Sequence, residues 1–255
     1  MIKLFDLVEK HVKEFGETPR VFKAPGRVNL IGEHTDYNDG YVLPTPINRY
    51  IWVAITPRED NGIHLHALDL GEKLEYHSSH ITVDPTHSWA NYVLGVVDSL
   101  QKKGAHFTGF NLSIHGDIPQ GAGLSSSAAL ETATIRGLNE FYRLGLTPVE
   151  VAYIGKECEN NFVGVQSGIM DQFVSSVGEM GKALFIDCRT NDHSLYKLSK
   201  GYRVVILNSM VQRELVNSEY NTRMAQCMEA VSIIKEDYPK VVALRDVNME
   251  MLNNI

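Results

Sequence analysis

Residues 23–40 combine one arginine, one glutamate, one histidine and two aspartates in a short segment with the composition of a loop. Apolar residues at Val28, Leu30 and Ile31 predict that a sheet anchors this segment. Donors and acceptors that converge from one loop suit a polyhydroxylated ligand such as a sugar, because each hydroxyl both donates and accepts hydrogen bonds. A salt-bridged turn at a domain edge is the alternative. The polar side chains free to converge are Arg27, Glu33, His34 and Asp36.

A second segment, residues 116–133, places two close glycines and three serines between a predicted strand and a predicted helix. The first N–H groups of a helix are unpaired and carry the positive end of the helix dipole, so a phosphate binds there when glycine lets the backbone approach. The serine hydroxyls add donors, and Ser127 is placed to reach a magnesium ion on the phosphates. The glycines are Gly121 and Gly123, and the serines are Ser125, Ser126 and Ser127.

Glycine-rich segments that precede a helix also occur as a Walker A loop, a dinucleotide fingerprint or a tight turn. A Walker A loop requires GxxxxGK followed by Ser or Thr, and the sequence contains no such string. A dinucleotide fingerprint requires a third glycine where Ser126 stands. A simple strand-to-helix turn with a serine cap stays open as an alternative.

The third segment, residues 156–173, supplies two carboxylates, Glu159 and Asp171, among small and apolar residues. A desolvated carboxylate needs a positive partner to stay ionised, and Arg27 is the candidate partner of Asp171. An aspartate that orients an attacking hydroxyl is what phosphoryl transfer requires. The alternative is an aspartate at a helix N-terminus that accepts backbone donors.

Bulk composition limits the class of protein. The 255 residues are 44% hydrophobic and 22% charged, which predicts a globular chain with a substantial core. The net charge of -7 disfavours a nucleic-acid-binding protein, since such proteins need a basic face. Charges within the first 16 residues disfavour a secretion signal, and no apolar run has transmembrane length.

The three cysteines and two close histidines predict no metal site. Cys158, Cys188 and Cys227 form no CxxC pair, so neither a zinc ribbon nor a disulfide framework is indicated, and a reducing cytoplasm is expected. His64 and His66 are two positions apart, which puts both on one face of a strand.

Hydrophobic periodicity predicts strands and helices without strict alternation, which favours an α+β arrangement over a doubly wound parallel sheet. Thr147, Pro148 and Glu150 form a capping box that predicts a helix start. The predicted helices are the N-terminal segment, 89–103, 125–142, the segment from 147, 168–177 and 218–238, and the predicted strands are 20–24, 41–46, 50–56, 63–67, 73–77, 110–115, 183–187 and 204–208.

Four ordered motifs resemble the GHMP kinase superfamily and, within it, the galactokinases. They are GRVNLIGEHTDYN at 26–38, GAGLSSSAA at 121–129, SGIMDQF at 167–173 and SEYNTR at 218–223. The resemblance implies a GHMP kinase-like α+β fold whose N-terminal lobe is like domain 2 of ribosomal protein S5. It also implies an N-terminal GHMP kinase domain over 1–180 and the start of an incomplete C-terminal domain over 181–255.

The resemblance implies transfer of the γ-phosphoryl group of ATP to the anomeric hydroxyl of galactose, with Mg²⁺ as the metal. Asp171 is then the catalytic base, and Arg27 holds it ionised and stabilises transition-state charge. Ser127 and Glu159 are the implied magnesium ligands. The implied sugar-binding residues are Glu33, His34, Thr35, Asp36 and Tyr220, and the implied nucleotide-binding residues are Gly121, Ala122, Gly123, Leu124, Ser125, Ser126 and Ser127.

The sequence also departs from the family pattern. The glycine-rich motif near the C-terminus is absent, and Gln212 stands where similar kinases have a basic residue beside Arg213. Residues 251–255 have helical character without a final cap, which predicts that the chain stops short. A non-catalytic galactose and ATP sensor, or an inactive remnant, is therefore an alternative, as is a kinase for N-acetylgalactosamine. An uncovered apolar face predicts self-association, and neither nucleic acid nor membrane is expected as a partner.

Overall fold

The structure, a computed structural model, describes residues 4–119, 121–210 and 219–254. Its larger sheet has five strands in the order β1-β3-β6-β4-β5. Only β4 and β6 pair in parallel, and the other neighbours are antiparallel. The strands are β1 (Arg20–Asn29), β3 (Pro44–Pro57), β4 (Gly62–Ala67), β5 (Glu72–His77) and β6 (Phe110–Gly116).

A smaller antiparallel sheet has the order β2-β7-β8. It consists of β2 (Tyr41–Val42), β7 (Lys182–Asp187) and β8 (His193–Lys197). Its apolar side packs on a helix through a separate core cluster that includes Val42, Phe173 and Leu184. Because β2 directly follows the charged loop after β1, this sheet fixes the far end of that loop.

Helices cover both faces of the five-stranded sheet. Along β3, Val53 and Ile55 belong to the main core, whereas Ala54 between them packs with Leu7 of the first helix. This period-two alternation is the reason that one strand serves two opposite core clusters. The helices are α1 (Leu4–Phe15), α2 (Ala90–Lys102), α3 (Ser126–Phe141), α4 (Pro148–Glu157), α5 (Met170–Val177), α6 (Glu219–Asp237) and α7 (Met249–Asn253).

Local signals in the sequence predicted several elements correctly. The capping box at Thr147 is present, since its hydroxyl accepts from the Glu150 N–H and the Glu150 carboxylate accepts from the Thr147 N–H. His64 and His66 lie on one face of β4, as their spacing predicted. The three cysteines are free thiols. The α+β class is confirmed, and the domain boundary at residue 180, between α5 and β7, stays a prediction.

The strand prediction over residues 41–46 was wrong in its bounds. The chain forms the short β2 and then one long strand that begins at Pro44 and continues through Pro46. Prolines are tolerated there because β6 pairs with β3 only from Ile51 onward, so the first part of β3 has one neighbour to satisfy.

The strand prediction over residues 204–208 was also wrong. This apolar segment has no strand partner among the described residues, and the side chain of Leu207 is 89% exposed. An apolar run becomes a strand only when a neighbour supplies hydrogen bonds. Conversely β8 was missed, because its largely exposed, polar sequence forms a strand only by pairing with β7.

No helix in the described ranges is both long and apolar enough to cross a membrane.

Candidate active site

The centre of the site is a bidentate ion pair between Arg27 and Asp171. Arg27 lies near the end of β1, just after a register shift in its pairing with β3, and Asp171 lies in the first turn of α5. Arg27 Nε donates to Asp171 Oδ1 over 2.7 Å, and Nη2 donates to Oδ2 over 2.8 Å. This parallel geometry is the strongest form of a charge-assisted hydrogen bond. The sequence-predicted partnership is therefore present.

Ser125 provides a third donor to the same carboxylate. Its hydroxyl donates to Asp171 Oδ2 over 2.6 Å. Oδ2 therefore accepts two hydrogen bonds and Oδ1 accepts one, which leaves Oδ1 with capacity for one more donor. Ser125 has φ 59°, a left-handed conformation that is uncommon for a residue with a side chain. The sequence predicted that this hydroxyl contacts the phosphates, and its contact with Asp171 was not predicted.

The glycine-serine loop is fastened to β1. Gly121 and Gly123 both have positive φ, at 66° and 69°, which side chains would disfavour. The carbonyl of Gly123 accepts from Arg27 Nη1 over 2.7 Å, and the carbonyl of Leu124 accepts from the Arg27 N–H over 3.1 Å. Directly after this loop α3 begins at Ser126. Arg27 therefore joins the loop to Asp171. The first N–H groups of a helix such as α3 lack partners within the helix and are the kind of donors that bind an anion.

Glu159 and Ser127 form a second polar group. Glu159 lies in a π-helical turn, Cys158–Val163, and is almost fully buried. Ser127 donates to its Oε1 over 2.8 Å, and Ser167 donates to its Oε2. Burial raises the pKa of Glu159, and the negative charge of Asp171 adds to this. The two residues that the family resemblance implied as magnesium ligands are thus in direct contact.

Oxygen atoms from a carboxylate and a serine are the donors that Mg²⁺ accepts. In the parts of the chain that are described, no group of three or more His, Cys, Asp or Glu side chains is arranged to hold a metal ion.

The charged loop between β1 and β2 is held by its own side chains. The hydroxyl of Thr35 lies 2.7 Å from the carbonyl oxygens of both Gly32 and Tyr41. His34 Nδ1 lies 2.6 Å from the hydroxyl of Tyr37. The Thr35 hydroxyl therefore stabilises the conformation of the loop. Its implied contact with a sugar stays a prediction.

Asp36 lies against Gly168, in the segment that carries Asp171. A Cβ atom on Gly168 would lie 2.1 Å from Asp36 Oδ2, so a side chain there would require Asp36 to shift. Burial raises the pKa of Asp36, and the negative charge of Asp171 raises it further. Because Gly168 lies three residues before Asp171, its contact with Asp36 brings the charged loop against the segment that carries Asp171.

Tyr220, at the start of α6, closes the other side of the loop. Its ring lies 5.2 Å from that of Tyr37 and 5.7 Å from that of His34, and burial raises its pKa. Glu33 is exposed and accepts from Asn29 Nδ2 over 3.1 Å. The structure thus gathers all the implied sugar-binding residues in one loop and the helix facing it.

Tyr37, Gly168 and Gln172 are among the participating residues that had no role assigned from the sequence. Each belongs to one of the recognised motifs, but their contacts are with residues distant in the chain, and no local pattern signals such contacts. The basic-pair position at 211–213 and Ser218 of the fourth motif lie outside the described residues.

Comparison with known proteins agrees with these motifs. The galactokinase galactose-binding signature matches residues 9–57, and the GHMP kinases N terminal domain matches residues 91–179. A crystal structure of Lactococcus lactis galactokinase complexed with galactose is 35% identical, with a TM-score of 0.91 over 98% of this chain. This chain spans 66% of the length of that galactokinase.

More distant structures share the fold. Mevalonate kinase from Methanococcus jannaschii is 23% identical, with a TM-score of 0.58 over 71% of this chain and 56% of its own. The two family matches and the galactokinase structure go further, because they include both the charged loop and the segment that carries Asp171. The chain therefore belongs to the galactokinase family of the GHMP kinases.

Proposed function

We propose that this chain transfers the γ-phosphoryl group of ATP to the anomeric hydroxyl of galactose, giving galactose 1-phosphate and ADP. The observation that carries the proposal is the position of Asp171. It is bonded to Arg27 and to Ser125 of the glycine-serine loop, and its charge acts on Asp36 of the charged loop. A base in that position contacts the proposed phosphate-binding loop through Ser125 and lies three residues from Gly168, which meets the proposed sugar-binding loop.

In the proposed reaction, galactose binds against the charged loop and Tyr220, with its anomeric hydroxyl toward Asp171. The hydroxyl oxygen forms a bond to the γ-phosphorus while the bond to the bridging oxygen of ADP breaks, and the hydroxyl proton passes to Asp171. Oδ1 is the acceptor we assign, because it has the spare hydrogen-bond capacity. Arg27 and the N–H groups at the start of α3 stabilise the charge on the phosphoryl group.

Ser127 and Glu159 are the residues that would hold Mg²⁺ with the nucleotide. When bound with the nucleotide, such an ion would supply positive charge that offsets the charge of the phosphates. The hydrogen bond between Ser127 and Glu159 keeps their oxygens adjacent, as two ligands of one ion must be.

The proposal includes a cytoplasmic location, which free cysteines without a disulfide pattern support. It also includes self-association through the apolar segment around Val205 and Leu207, whose side chains are 75% and 89% exposed. Sedimentation velocity over a concentration series tests this. A single monomeric boundary at every concentration would contradict it.

The deciding experiment is a coupled ADP-release assay with galactose, ATP and Mg²⁺ on the wild type and Asp171→Asn. We expect turnover in the wild type and its loss in the variant, with galactose affinity by calorimetry within about threefold. N-acetylgalactosamine is assayed in parallel, and preferential turnover of that sugar would overturn the assignment to galactose. Binding of galactose and ATP without turnover in the wild type would instead support a sensor or an inactive remnant.

A further inference from the structure

Behind Glu159, a buried amide connects two carboxyl groups. Gln172 is fully buried in α5, and its Nε2 donates to Glu159 Oε2 over 2.8 Å and to Glu131 Oε2 over 3.1 Å. A primary amide has two N–H groups, so each one serves a different carboxyl. Gln172 is thus the only described side chain that hydrogen-bonds to both carboxyl groups.

The residues around the Gln172 amide come from three separate elements of the chain. Ser127 and Glu131 are four positions apart in α3, so they share one helix face. Glu159 lies in the π-helical turn after α4. Gln172 directly follows Asp171 in α5. The Gln172 amide therefore links α5 to α3. It bonds Glu131 of α3 directly, and it bonds Glu159, which accepts from Ser127 of α3.

Packing leaves Gln172 little freedom. A Cβ atom at Gly155 of α4 would lie 2.8 Å from Gln172 Cγ and 3.3 Å from Glu131 Oε2. The absence of a side chain at Gly155 is what admits the glutamine chain beside Glu131. A buried side chain confined in this way holds its hydrogen bonds in one geometry, which is what orienting a metal ligand requires.

The two carboxyl groups differ in environment. Burial raises the pKa of Glu131 well above its usual value, and the negative charge of Glu159 adds to this. No ion pair to Lys or Arg is found for Glu131 or Glu159 in the described residues. Without a cation beside them, both carboxyl groups depend on hydrogen-bond donors, and Gln172 is the donor that they share.

We propose that Gln172 and Glu131 are positioning residues that hold Glu159 toward Ser127 and thereby set the affinity of the nucleotide site for a divalent cation. The inference rests on the proposed function only in requiring that a cation binds together with nucleotide. Gln172 and Glu131 are both fully buried, and neither is among the residues assigned to the nucleotide, the sugar or the cation. Their effect reaches the cation through the orientation of Glu159 Oε1, which faces the Ser127 hydroxyl.

The test measures Mn²⁺ binding in the presence of ADP, by the electron paramagnetic resonance signal of free Mn²⁺. Gln172→Met keeps the length of the side chain and removes both donors, and we expect cation affinity to fall at least tenfold. ADP affinity without metal should stay within about threefold. Glu131→Gln keeps an uncharged acceptor for Gln172, so we expect cation affinity within about threefold of the wild type.

Val174→Ala is the control, because Val174 is a fully buried residue of the same helix. It packs in the core cluster with Val42, Phe173 and Leu184, away from the two carboxyl groups. Equal cation affinity in Gln172→Met and in this control would overturn the proposal. So would Mn²⁺ binding by the wild type that is no tighter than that of ADP in solution. If Gln172→Met lacks a cooperative thermal transition, Glu131→Leu takes its place, with a loss of at least threefold expected and wild-type affinity contradicting the proposal.

These outcomes are separable from those of the proposed function. A wild-type chain that binds Mn²⁺ with ADP but does not phosphorylate galactose would overturn the reaction and leave the positioning role to be judged by the variants. A chain that phosphorylates galactose, with Gln172→Met equal to the wild type in Mn²⁺ affinity, would overturn only the positioning role.

Discussion

The hydroxyl of Ser125 donates a hydrogen bond to Asp171 Oδ2 across 2.6 Å, although the two residues are 46 positions apart. Ser125 is the last residue before α3 and its backbone is left-handed, so the loop geometry itself aims the hydroxyl at the carboxylate. The glycine-serine loop is therefore joined to Asp171 directly through this hydroxyl, and indirectly through Arg27, which also donates to the carbonyl of Gly123.

Ser125→Ala tests this junction. Loss of a hydrogen bond to a charged group typically costs about 1.5–3 kcal/mol, which corresponds to a fall in kcat of roughly tenfold or more. We expect galactose affinity within about threefold of the wild type, since the hydroxyl orients the base and not the sugar. Ser176→Ala is the control. Ser176 is a buried serine of α5 whose hydroxyl donates to the carbonyl of Pro148, so the variant also removes a buried serine hydrogen bond. Equal loss of kcat in both variants would contradict a specific role.

Gly168→Ala tests the contact with Asp36. The added methyl would lie 2.1 Å from Asp36 Oδ2, so the Asp36 side chain must shift from its position in the charged loop. We expect galactose affinity, measured by calorimetry, to fall at least tenfold while ADP affinity is unchanged. Gly201→Ala is the matched substitution, since a Cβ atom there meets nothing within 4 Å. Unchanged galactose affinity in Gly168→Ala would show that Asp36 does not bind the sugar.

Arg245 is predicted to hold the end of the charged loop. It donates to Asp187 Oδ2 over 2.9 Å and to the carbonyl of Asp39 over 2.8 Å, and its guanidinium lies 4.3 Å from the centre of the Tyr41 ring. Arg245→Met removes these contacts while keeping a long side chain. We expect galactose affinity to fall about three- to tenfold with ADP affinity unchanged, measured by calorimetry.

Lys235→Met is the control for Arg245→Met, because it removes an exposed positive charge from α6. Equal galactose affinity in the two variants would show that Arg245 does not order the loop.

His11 predicts how stability depends on pH. It is buried between the hydroxyls of Ser113 and Thr56, and burial lowers its pKa from 6.5 to about 4. Between pH 4 and pH 6.5, His11 therefore binds a proton in the unfolded chain but not in the folded chain. The free energy of unfolding should be highest above about pH 6.5 and fall toward pH 4, by up to ~3 kcal/mol.

Urea unfolding at a series of pH values measures this dependence. His11→Gln keeps a donor and an acceptor without titrating, so its unfolding free energy should fall less steeply between pH 6.5 and 4. The same slope in the variant as in the wild type would assign the acid sensitivity to other groups.

Local patterns in the sequence determined much of the fold. The box at Thr147 predicted the start of α4, and hydrophobic periodicity predicted most helices and strands, because caps and amphipathic faces depend on residues close in the chain. The motifs also indicated residues that come together, since Arg27 pairs with Asp171 as expected, and Ser127 contacts Glu159, the other implied magnesium ligand.

Only the tertiary structure decided what joins these motifs. The bond from Ser125 to Asp171, the fit of Asp36 against Gly168 and the bridge made by Gln172 all connect separate segments. The exposed segment at 204–208 and the short β8 show the same limit, because hydrogen-bonded pairing depends on a neighbour. Residue type and spacing specify which groups can react, whereas their distances depend on packing between elements, which no local pattern encodes.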